Sequence, residues 1–263
     1  MKQRRFVMEE INSLRTALEL LQQIEGEYKE TDVPVKPHAE ISGIYRYIGA
    51  GGTVKRPTKL GPAVMFNNVT GHEDARVLIG LLASRKRVAL MLGDQPEHLG
   101  FLLNEAVQNP VKPVVISNDK AVCQEVVHYA TDEGFDIRKI LPAPTNTPED
   151  AGPYITMGMC YASDPETGES DITIHRLCLQ DKDKISMYFV PGARHLGVFR
   201  EKAEKRGEPL PISISIGVDP AIEIAACFEP PTTPLGYNEL NAAGAIRKRP
   251  VELTNCLTIP EKC

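Results

Sequence analysis

The sequence predicts a mixed α/β (α+β) protein, with an N-terminal α/β region followed by a region in which strands dominate. Three observations carry this prediction: an amphipathic N-terminal helix, apolar runs that alternate with helical stretches over residues 41–117, and a strand hairpin over residues 154–179. A chain of 263 residues with 42% hydrophobic content can bury a sizeable core in one large or two modest domains. We place the domain boundary near residue 118, giving domains of residues 1–118 and 119–263.

The N-terminal region begins with apolar residues at helical spacing. They are Ile11, Leu14, Leu18, Leu21 and Ile24, and the helix that they predict ends near Gly26. Apolar runs at 41–48, 63–69, 88–92 and 114–117 predict strands, and helices are predicted from about residue 73 and over 99–107. The segment Thr70-Gly71-His72-Glu73 matches a capping box, which predicts that His72 lies in the first turn of a helix without a chemical role.

The second region is predicted to open with a helix over residues 120–133 and a proline-rich connection over 142–153. Strands follow at 154–162 and 171–179, joined by a turn at 164–168, and another strand is predicted at 185–190. In this hairpin Thr156 falls roughly opposite Arg176 and Leu177. The remaining elements are a helix at 195–206, a strand at 212–218, a helix at 219–226, a short helix from residue 239 and a last strand at 251–258.

Composition excludes several classes of partner and setting. A net charge of −5 without long like-charged runs argues against nucleic acid or an anionic membrane as the main partner. Six cysteines without a C-x-x-C pair, together with the absence of a signal peptide and of a long apolar run, favour a reduced, cytoplasmic setting. Each cysteine is interpreted as a small buried hydrophobe. The basic triplet at residues 85–87 is interpreted as a solvated helix end.

No short motif identifies a catalytic site. Residues 49–52 lack the third glycine of a dinucleotide fingerprint and the Gly-Lys-Ser/Thr of a P-loop, so a flexible turn is the better interpretation. H-E-x-x-H, G-x-S-x-G and zinc-finger spacings are absent from the sequence. The alternating segment 171–176 nevertheless combines an acid, a hydroxyl, an imidazole and an arginine, which is typical of a binding site. His195 follows a Pro-Gly turn at a predicted helix start, a position that suits a phosphate.

Longer segments resemble one family over nearly the whole chain and in the same order. They include Phe66-Asn67-Asn68-Val69-x-Gly71, Ala83-Ser84-Arg85-x-x-Val88-Ala89-Leu90, residues 156–176 and Ile216-Gly217-Val218-Asp219-Pro220-Ala221. These segments resemble the UbiD family of prenylated-flavin-dependent decarboxylases. Residues 43–53, 144–148 and 228–240 are similar to its gallate decarboxylase branch, which acts on hydroxylated benzoates.

The resemblance implies prenylated FMN bound in a split β-barrel, with a divalent metal ion linking its phosphate to three protein ligands. Those ligands map to Asp171, His195 and Glu239. Oxygen and imidazole donors without a thiolate suit Mn²⁺ or Mg²⁺, and K⁺ is a further candidate ion. Asp171 stands where many members have Asn, which adds a negative charge to the site. The alternatives are a satisfied surface Asp171, a helix-capping His195 and a solvent-facing Glu239.

The resemblance also assigns residues to the flavin and to the substrate. The implied flavin-binding positions are Thr156, Ile172, Thr173, Ile174, His175, Arg176, Arg194 and His195. Arg176 maps beside the reactive ring as the catalytic residue, where its guanidinium would hold a substrate carboxylate through two parallel hydrogen bonds. A structural salt bridge is the alternative role for Arg176.

The activity implied is non-oxidative decarboxylation of hydroxylated benzoates such as gallate or protocatechuate. A flavin prenyltransferase would supply the cofactor, and a homo-oligomer is implied at full length. Family members continue into a Glu-x-x-x-Glu-Gly segment and a C-terminal α/β domain, which we expect to be absent here because the chain ends at Cys263. Glu261 lies too early to be either glutamate. A non-catalytic flavin- and metal-binding module is therefore the alternative function, and an ordinary FMN reductase is weaker because it would not need the three metal ligands.

Overall fold

The computed structural model of the protein describes residues 11–50, 60–189 and 195–263. Within these ranges it contains helices and strands in mixed order, which confirms the predicted α/β class. The helices are α1 (Leu14–Gln22), α2 (Glu40–Ala50), α3 (Arg85–Leu92), α4 (Leu99–Gln108), α5 (Ile137–Ile140), α6 (His195–Lys205), α7 (Pro220–Ala225) and α8 (Leu240–Arg247). The strands are β1 (Tyr28–Thr31), β2 (Ala63–Phe66), β3 (Val77–Ile79), β4 (Val114–Val115), β5 (Tyr154–Ser163), β6 (Ser170–Asp181), β7 (Lys184–Met187), β8 (Ser213–Ser215) and β9 (Glu252–Leu253).

The N-terminal region is built on a three-stranded sheet. Strand β2 pairs in parallel with β1 and antiparallel with β3. Strand β1 was not predicted from the sequence. The predicted N-terminal helix is present as α1, with Ser13 at its N-cap. Its buried face, including Leu18 and Leu21, packs with Met65 of β2 and Met91 of α3. This packing fixes the helix against the sheet.

Three predicted elements of this region are wrong. Residues 41–48 lie in helix α2 and residues 88–92 in helix α3, because a short apolar run does not distinguish a strand from a buried helix. The predicted helix from residue 73 is replaced by turns and strand β3. The supposed capping box is part of such a turn, in which the Gly71 N–H donates to Glu73 Oε1 over 3.2 Å. The interpretation of residues 49–52 as a turn falls partly outside the described residues.

The basic triplet at residues 85–87 is only partly solvated, because Arg87 is 1% exposed. Its guanidinium donates to the carbonyl groups of Gly61 and Gly80 and lies 3.3 Å from Glu27 Oε2. Lys86 also contacts Glu27, over 2.7 Å. Arg87 is therefore a structural residue that ties α3 to the first sheet, which corrects its interpretation as part of a solvated helix end.

The second region contains a four-stranded antiparallel sheet in the order β7-β6-β5-β8. Strands β5 and β6 form the predicted hairpin, with Ala162 opposite Asp171 and Ile155 opposite Leu177. Because Ile155 pairs with Leu177 and Gly158 with His175, Thr156 lies next to Arg176, as predicted, at an irregularity of the hairpin. The sheet remains open within the described residues, so this part of the chain shows no closed barrel.

The predicted helices at 195–206, 219–226 and after residue 239 are present as α6, α7 and α8. The predicted helix at 120–133 is wrong, since two 3₁₀ turns, Asn118–Lys120 and Val122–Gln124, are followed by irregular chain. Val122 and Val126 are 72% and 75% exposed. The segment therefore lacks the packed apolar face from which most helices in proteins gain their stability.

The two regions are joined by a strand pair and by an apolar helix cluster. Strand β4 pairs in parallel with the last strand, β9, and helices α3 and α4 pack with α7 and α8 in one apolar cluster. The six cysteines form no disulfide, but only Cys160 and Cys178 are buried, so the burial prediction is wrong for the other four. Among the described helices, none is both long enough and apolar enough to cross a membrane.

Candidate metal and cofactor site

Three buried side chains from separate parts of the chain converge on one point. Asp171 belongs to β6, His195 is the first residue of α6, and Glu239 immediately precedes α8. Each offers one ligand atom, and these atoms all lie within 4.8 Å of one another. His195 Nδ1 is 3.2 Å from Asp171 Oδ2 and 3.9 Å from Glu239 Oε1. The structure thus brings together the three residues to which the resemblance assigns a metal ion.

Local contacts hold each of these side chains in place. Asp171 Oδ1 accepts a hydrogen bond from the Ile172 N–H over 2.7 Å, which leaves Oδ2 directed towards His195. His195 starts a helix that is anchored in the core of the second sheet by Leu196 and Phe199.

Glu239 is positioned by its neighbour in the chain. The Asn238 side chain donates to Ser170 Oγ over 2.9 Å and accepts from the Leu240 N–H, also over 2.9 Å. Because Ser170 precedes Asp171 in β6, this pair of hydrogen bonds holds the start of α8 against the strand that carries the aspartate.

Burial and mutual contact perturb the acid and the imidazole. Desolvation raises the pKa of Asp171, and its contact with His195 offsets only part of that effect. The hydrogen bond to Asp171 raises the pKa of His195, against the opposing effect of burial. Two buried carboxyl groups beside one imidazole form a negatively biased site, and a cation placed between them would neutralise it.

The space between these residues suits a single ion. A cavity of about 10 Å³ is lined by Asp171, Thr173, His195 and Glu239, together with residues that follow α7. That volume is about the size of the space that one bound water molecule needs. Within it, Glu239 Oε2 and Thr173 Oγ1 are buried and have no hydrogen-bond partner among the described residues. Buried polar atoms are normally paired, so these orphan oxygens and the oxygen and nitrogen donor set fit a hard divalent cation.

The other predicted site residues lie along the same hairpin. Side chains alternate along β6, so Thr173 and His175 share a face with Asp171, whereas Ile172 and Ile174 pack in the apolar cluster on the opposite face. The His175 ring packs against Phe189, with ring centroids 5.2 Å apart. Thr156 is exposed and lines a large cavity. Arg194 lies outside the described residues.

Arg176 is exposed and lies near the middle of β6. Five residues of extended strand separate the two positions, which corresponds to roughly 17 Å. Arg176 forms no ion pair with another residue of the described ranges, so the structural salt bridge considered for it is not formed there. Its guanidinium is therefore available to an anionic ligand.

Glu261 has a structural contact. Its carboxylate accepts hydrogen bonds from the N–H and the hydroxyl of Ser163, over 3.1 and 2.8 Å, and its side chain is buried. That Glu261 is neither of the catalytic glutamates of the family stays a prediction.

Glu223 on α7, which was not predicted from the sequence as a site residue, is a buried acid beside a cavity. It is 4% exposed and lines the same large cavity as Thr156. Burial, reinforced by the charge of Asp219, raises its pKa to about 7. The signal that could have found it is an acidic residue between two isoleucines in an otherwise apolar helix, Pro-Ala-Ile-Glu-Ile-Ala.

Comparisons with known proteins identify the family. The 3-octaprenyl-4-hydroxybenzoate carboxy-lyase Rift-related domain of UbiD matches residues 114–263, and the N-terminal domain of the same carboxy-lyase matches residues 18–107. The chain belongs to the UbiD family.

Individual UbiD relatives are similar over almost the whole chain. The gallate decarboxylase of Lactiplantibacillus plantarum is 57% identical over 249 residues, which are 95% of this chain and 51% of that protein. The apo structure of 3,4-dihydroxybenzoic acid decarboxylase from Enterobacter cloacae is 57% identical, with a TM-score of 0.89 over 96% of this chain and 52% of the other.

A more distant UbiD-class structure carries the prenylated flavin. It is an evolved dimeric form of HmfF from Pelotomaculum thermopropionicum in complex with prFMN, 33% identical, with a TM-score of 0.85. The match covers 96% of this chain and 54% of the HmfF chain. The chain thus spans about half the length of the relatives that it matches.

Proposed function

We propose that this chain functions in a non-oxidative decarboxylase, a carboxy-lyase that acts on hydroxylated benzoates such as gallate or protocatechuate with prenylated FMN and a divalent metal ion. The observation that carries the proposal is the buried convergence of Asp171, His195 and Glu239 on one small cavity. It is supported by the similarity to gallate and 3,4-dihydroxybenzoic acid decarboxylases over at least 95% of the chain.

Asp171, His195 and Glu239 would hold the metal ion, Mn²⁺ or Mg²⁺, with K⁺ as a further candidate ion in the site. The flavin would be held along β5 and β6 and at the start of α6. The residues assigned to it are Thr156, Ile172, Thr173, Ile174, His175, Arg176, Arg194 and His195. Support comes from the UbiD-class neighbours, whose structures contain FMN or prFMN.

Prenylated FMN, when bound, supplies an electron sink for the arene carboxylate. The protein's part is to bind and orient. Arg176, which is exposed and has no ion-pair partner in the described ranges, would grip the substrate carboxylate through its planar fork of donors. Burial of the metal ligands excludes water from their charges and strengthens their hold on a cation.

Several wider properties belong to the same proposal. The protein is cytoplasmic, receives its cofactor from a flavin prenyltransferase and assembles as a homo-oligomer at full length. Its two domains are residues 1–118 and 119–263, a division supported by family matches at 18–107 and 114–263.

The test is to incubate the purified chain with prenylated FMN and Mn²⁺, remove unbound cofactor, and measure flavin absorbance, manganese content and CO₂ released from gallate and protocatechuate. Retention of both cofactors with CO₂ release is the expected result. Retention without CO₂ release would overturn the decarboxylase proposal in favour of a non-catalytic flavin- and metal-binding module. Retention of neither cofactor would overturn both functions.

Two histidine variants, one at a proposed ligand and one on the surface, test the metal site. His195→Ala removes a proposed ligand and should empty the chain of manganese on elemental analysis. His98→Ala changes an exposed histidine whose side chain lies 3.6 Å from Asp94, and manganese content should stay at the wild-type level. Equal manganese in the two variants would remove His195 from the ligand set.

A further inference from the structure

A large cavity lies between the two regions of the chain and is separate from the small metal cavity. Its volume is about 650 Å³, within the range of small-molecule sites. Helix α1 and strands β2 and β3 contribute to its lining from one region, and β5 and α7 from the other. Apolar lining residues include Met65, Leu78, Ile155, Met157 and Ile216. Such walls favour a ligand with an apolar body.

Glu223 places one buried carboxyl group in this apolar lining. Although the residue is 4% exposed, its carboxyl group makes no hydrogen bond and no ion pair with any residue of the described ranges. Glutamate is almost never fully buried without a partner. Its oxygens are not among the fully buried, unpaired side-chain atoms of the described residues, so they border the open space of the cavity, where a hydrogen-bonding group of a ligand can reach them.

We propose that Glu223 is a specificity-determining residue, which hydrogen-bonds to a ring hydroxyl group of a hydroxylated aromatic ligand bound in this cavity. The inference rests on the proposed function, because the hydroxylated benzoates named there are ligands of this class. It goes further by assigning the recognition of the hydroxyl group to a residue outside the metal and flavin sites.

The surroundings of Glu223 agree with this assignment. The charge that acts on Glu223 is that of Asp219, the N-cap of α7 one turn earlier, and Arg76, which is exposed, also lines the cavity. Burial raises the pKa of Glu223 to about 7, so near neutral pH its carboxyl group is present in both forms, as a donor and as an acceptor. A phenolic hydroxyl group can accept from the first form and donate to the second.

Thr156 links this cavity to the flavin. It lines the cavity and also lies next to Arg176, near the middle of β6. Helix α7 runs between the two cavities, since Glu223 lines the large one and Ala226, which follows the helix, lines the metal cavity. A ligand held by Glu223 would therefore lie in the cavity that Thr156, a proposed flavin-binding residue, also lines.

The experiment is a calorimetric titration of catechol into the purified chain without flavin or metal. Catechol should bind to the wild type, and Glu223→Leu should weaken that binding by at least about tenfold, since a hydrogen bond to a buried carboxyl group is lost. Glu223→Gln keeps hydrogen-bonding capacity and should stay within about threefold of the wild type. Glu204→Leu is the matched control, because the Glu204 side chain on α6 is 62% exposed, and this variant should bind catechol as the wild type does.

A second compound, titrated into the wild type, keeps the test valid if Glu223→Leu fails to fold. In 1,2-dimethoxybenzene the donors are blocked on the same ring. At pH 8, above the Glu223 pKa of about 7, the carboxyl group mainly accepts, so the affinity of this compound for the wild type should be at least about tenfold lower than that of catechol. Equal binding of the two compounds, equal binding by Glu223→Leu and the wild type, or no catechol binding at all would overturn the inference. Retention of Mn²⁺ and prenylated FMN is measured separately, so a failure of the proposed function is distinguished from a failure of this assignment.

Discussion

Arg247 and Asp219 form a buried, two-pronged ion pair that joins the end of α8 to the start of α7. Arg247 Nε donates to Asp219 Oδ2 over 2.9 Å, a second guanidinium nitrogen donates to Oδ1, and Nη1 donates to the Met91 carbonyl over 2.8 Å. The same carboxylate caps α7 by accepting from the Ala221 N–H. This pair positions α7, the helix that runs between the two cavities.

Arg247→Met should lower the free energy of unfolding by about 3–5 kcal/mol, because it leaves the Asp219 carboxylate buried and uncompensated. Urea denaturation followed by circular dichroism measures this change. Arg206→Met is the control, since Arg206 pairs with Glu208 where both side chains are about half exposed, and its loss should cost less than about 1 kcal/mol. Similar losses in the two variants would show that the buried pair is unimportant.

Glu223→Gln should stabilise the protein at pH 8 but not at pH 4. The folded-state pKa of Glu223 is raised from 4.5 to about 7, so the folded state binds more protons than the unfolded state between these values. Stability therefore falls as pH rises through this window and levels off above it. Removing the ionisable group should raise the free energy of unfolding by about 2–3 kcal/mol at pH 8. Urea denaturation of the variant and the wild type measures this difference. A pH-independent difference would contradict the raised pKa.

Asp171→Asn should weaken Mn²⁺ binding by about tenfold or more while the fold is retained, because it removes one negative charge from the ligand set. Calorimetric titration of Mn²⁺ into the chain without flavin provides the affinity. Asp183→Asn, in the exposed turn between β6 and β7, is the control and should leave the affinity unchanged. An unchanged affinity in Asp171→Asn would place the ion elsewhere.

Arg176→Ala, in the protein loaded with prenylated FMN and Mn²⁺, should reduce CO₂ release from gallate by at least about 100-fold while flavin absorbance is retained. The reason is that the guanidinium would hold the reacting carboxylate, whereas the metal and phosphate would be held some distance away along β6. Arg138→Ala, on an exposed side chain paired with Asp136, should leave the rate unchanged. Normal turnover in Arg176→Ala would exclude the proposed role.

The elements that could be predicted from the sequence were those with strong local signals. The β5–β6 hairpin follows from alternation and a turn-rich linker, and α6 follows from its apolar spacing and the glycine after its end. The runs at 41–48 and 88–92 were predicted incorrectly because four to eight apolar residues satisfy both a buried strand and a buried helix.

The resemblance selected Asp171, His195 and Glu239, but the residue pattern alone favoured ordinary surface roles for them. Glu223 and Arg87 were not singled out for burial, since burial of a charged side chain depends on which elements pack over it. Arg87 carries no local signal that distinguishes it from the solvated bases of the chain. Glu223 carries only a weak one, its position between two isoleucines of an apolar helix.

The sequence by itself determined the α/β class and the hairpin, because these depend on local periodicity. It also determined the family and the metal-site candidates, because the order of segments along the chain carries the resemblance that implies them. Only the tertiary structure decided that three donors up to 68 residues apart meet within 4.8 Å, and that a carboxyl group of α7 enters an apolar cavity. The physical reason is that distances between remote residues, and the desolvation that shifts their pKa values, are set by packing between elements rather than by neighbours in the chain.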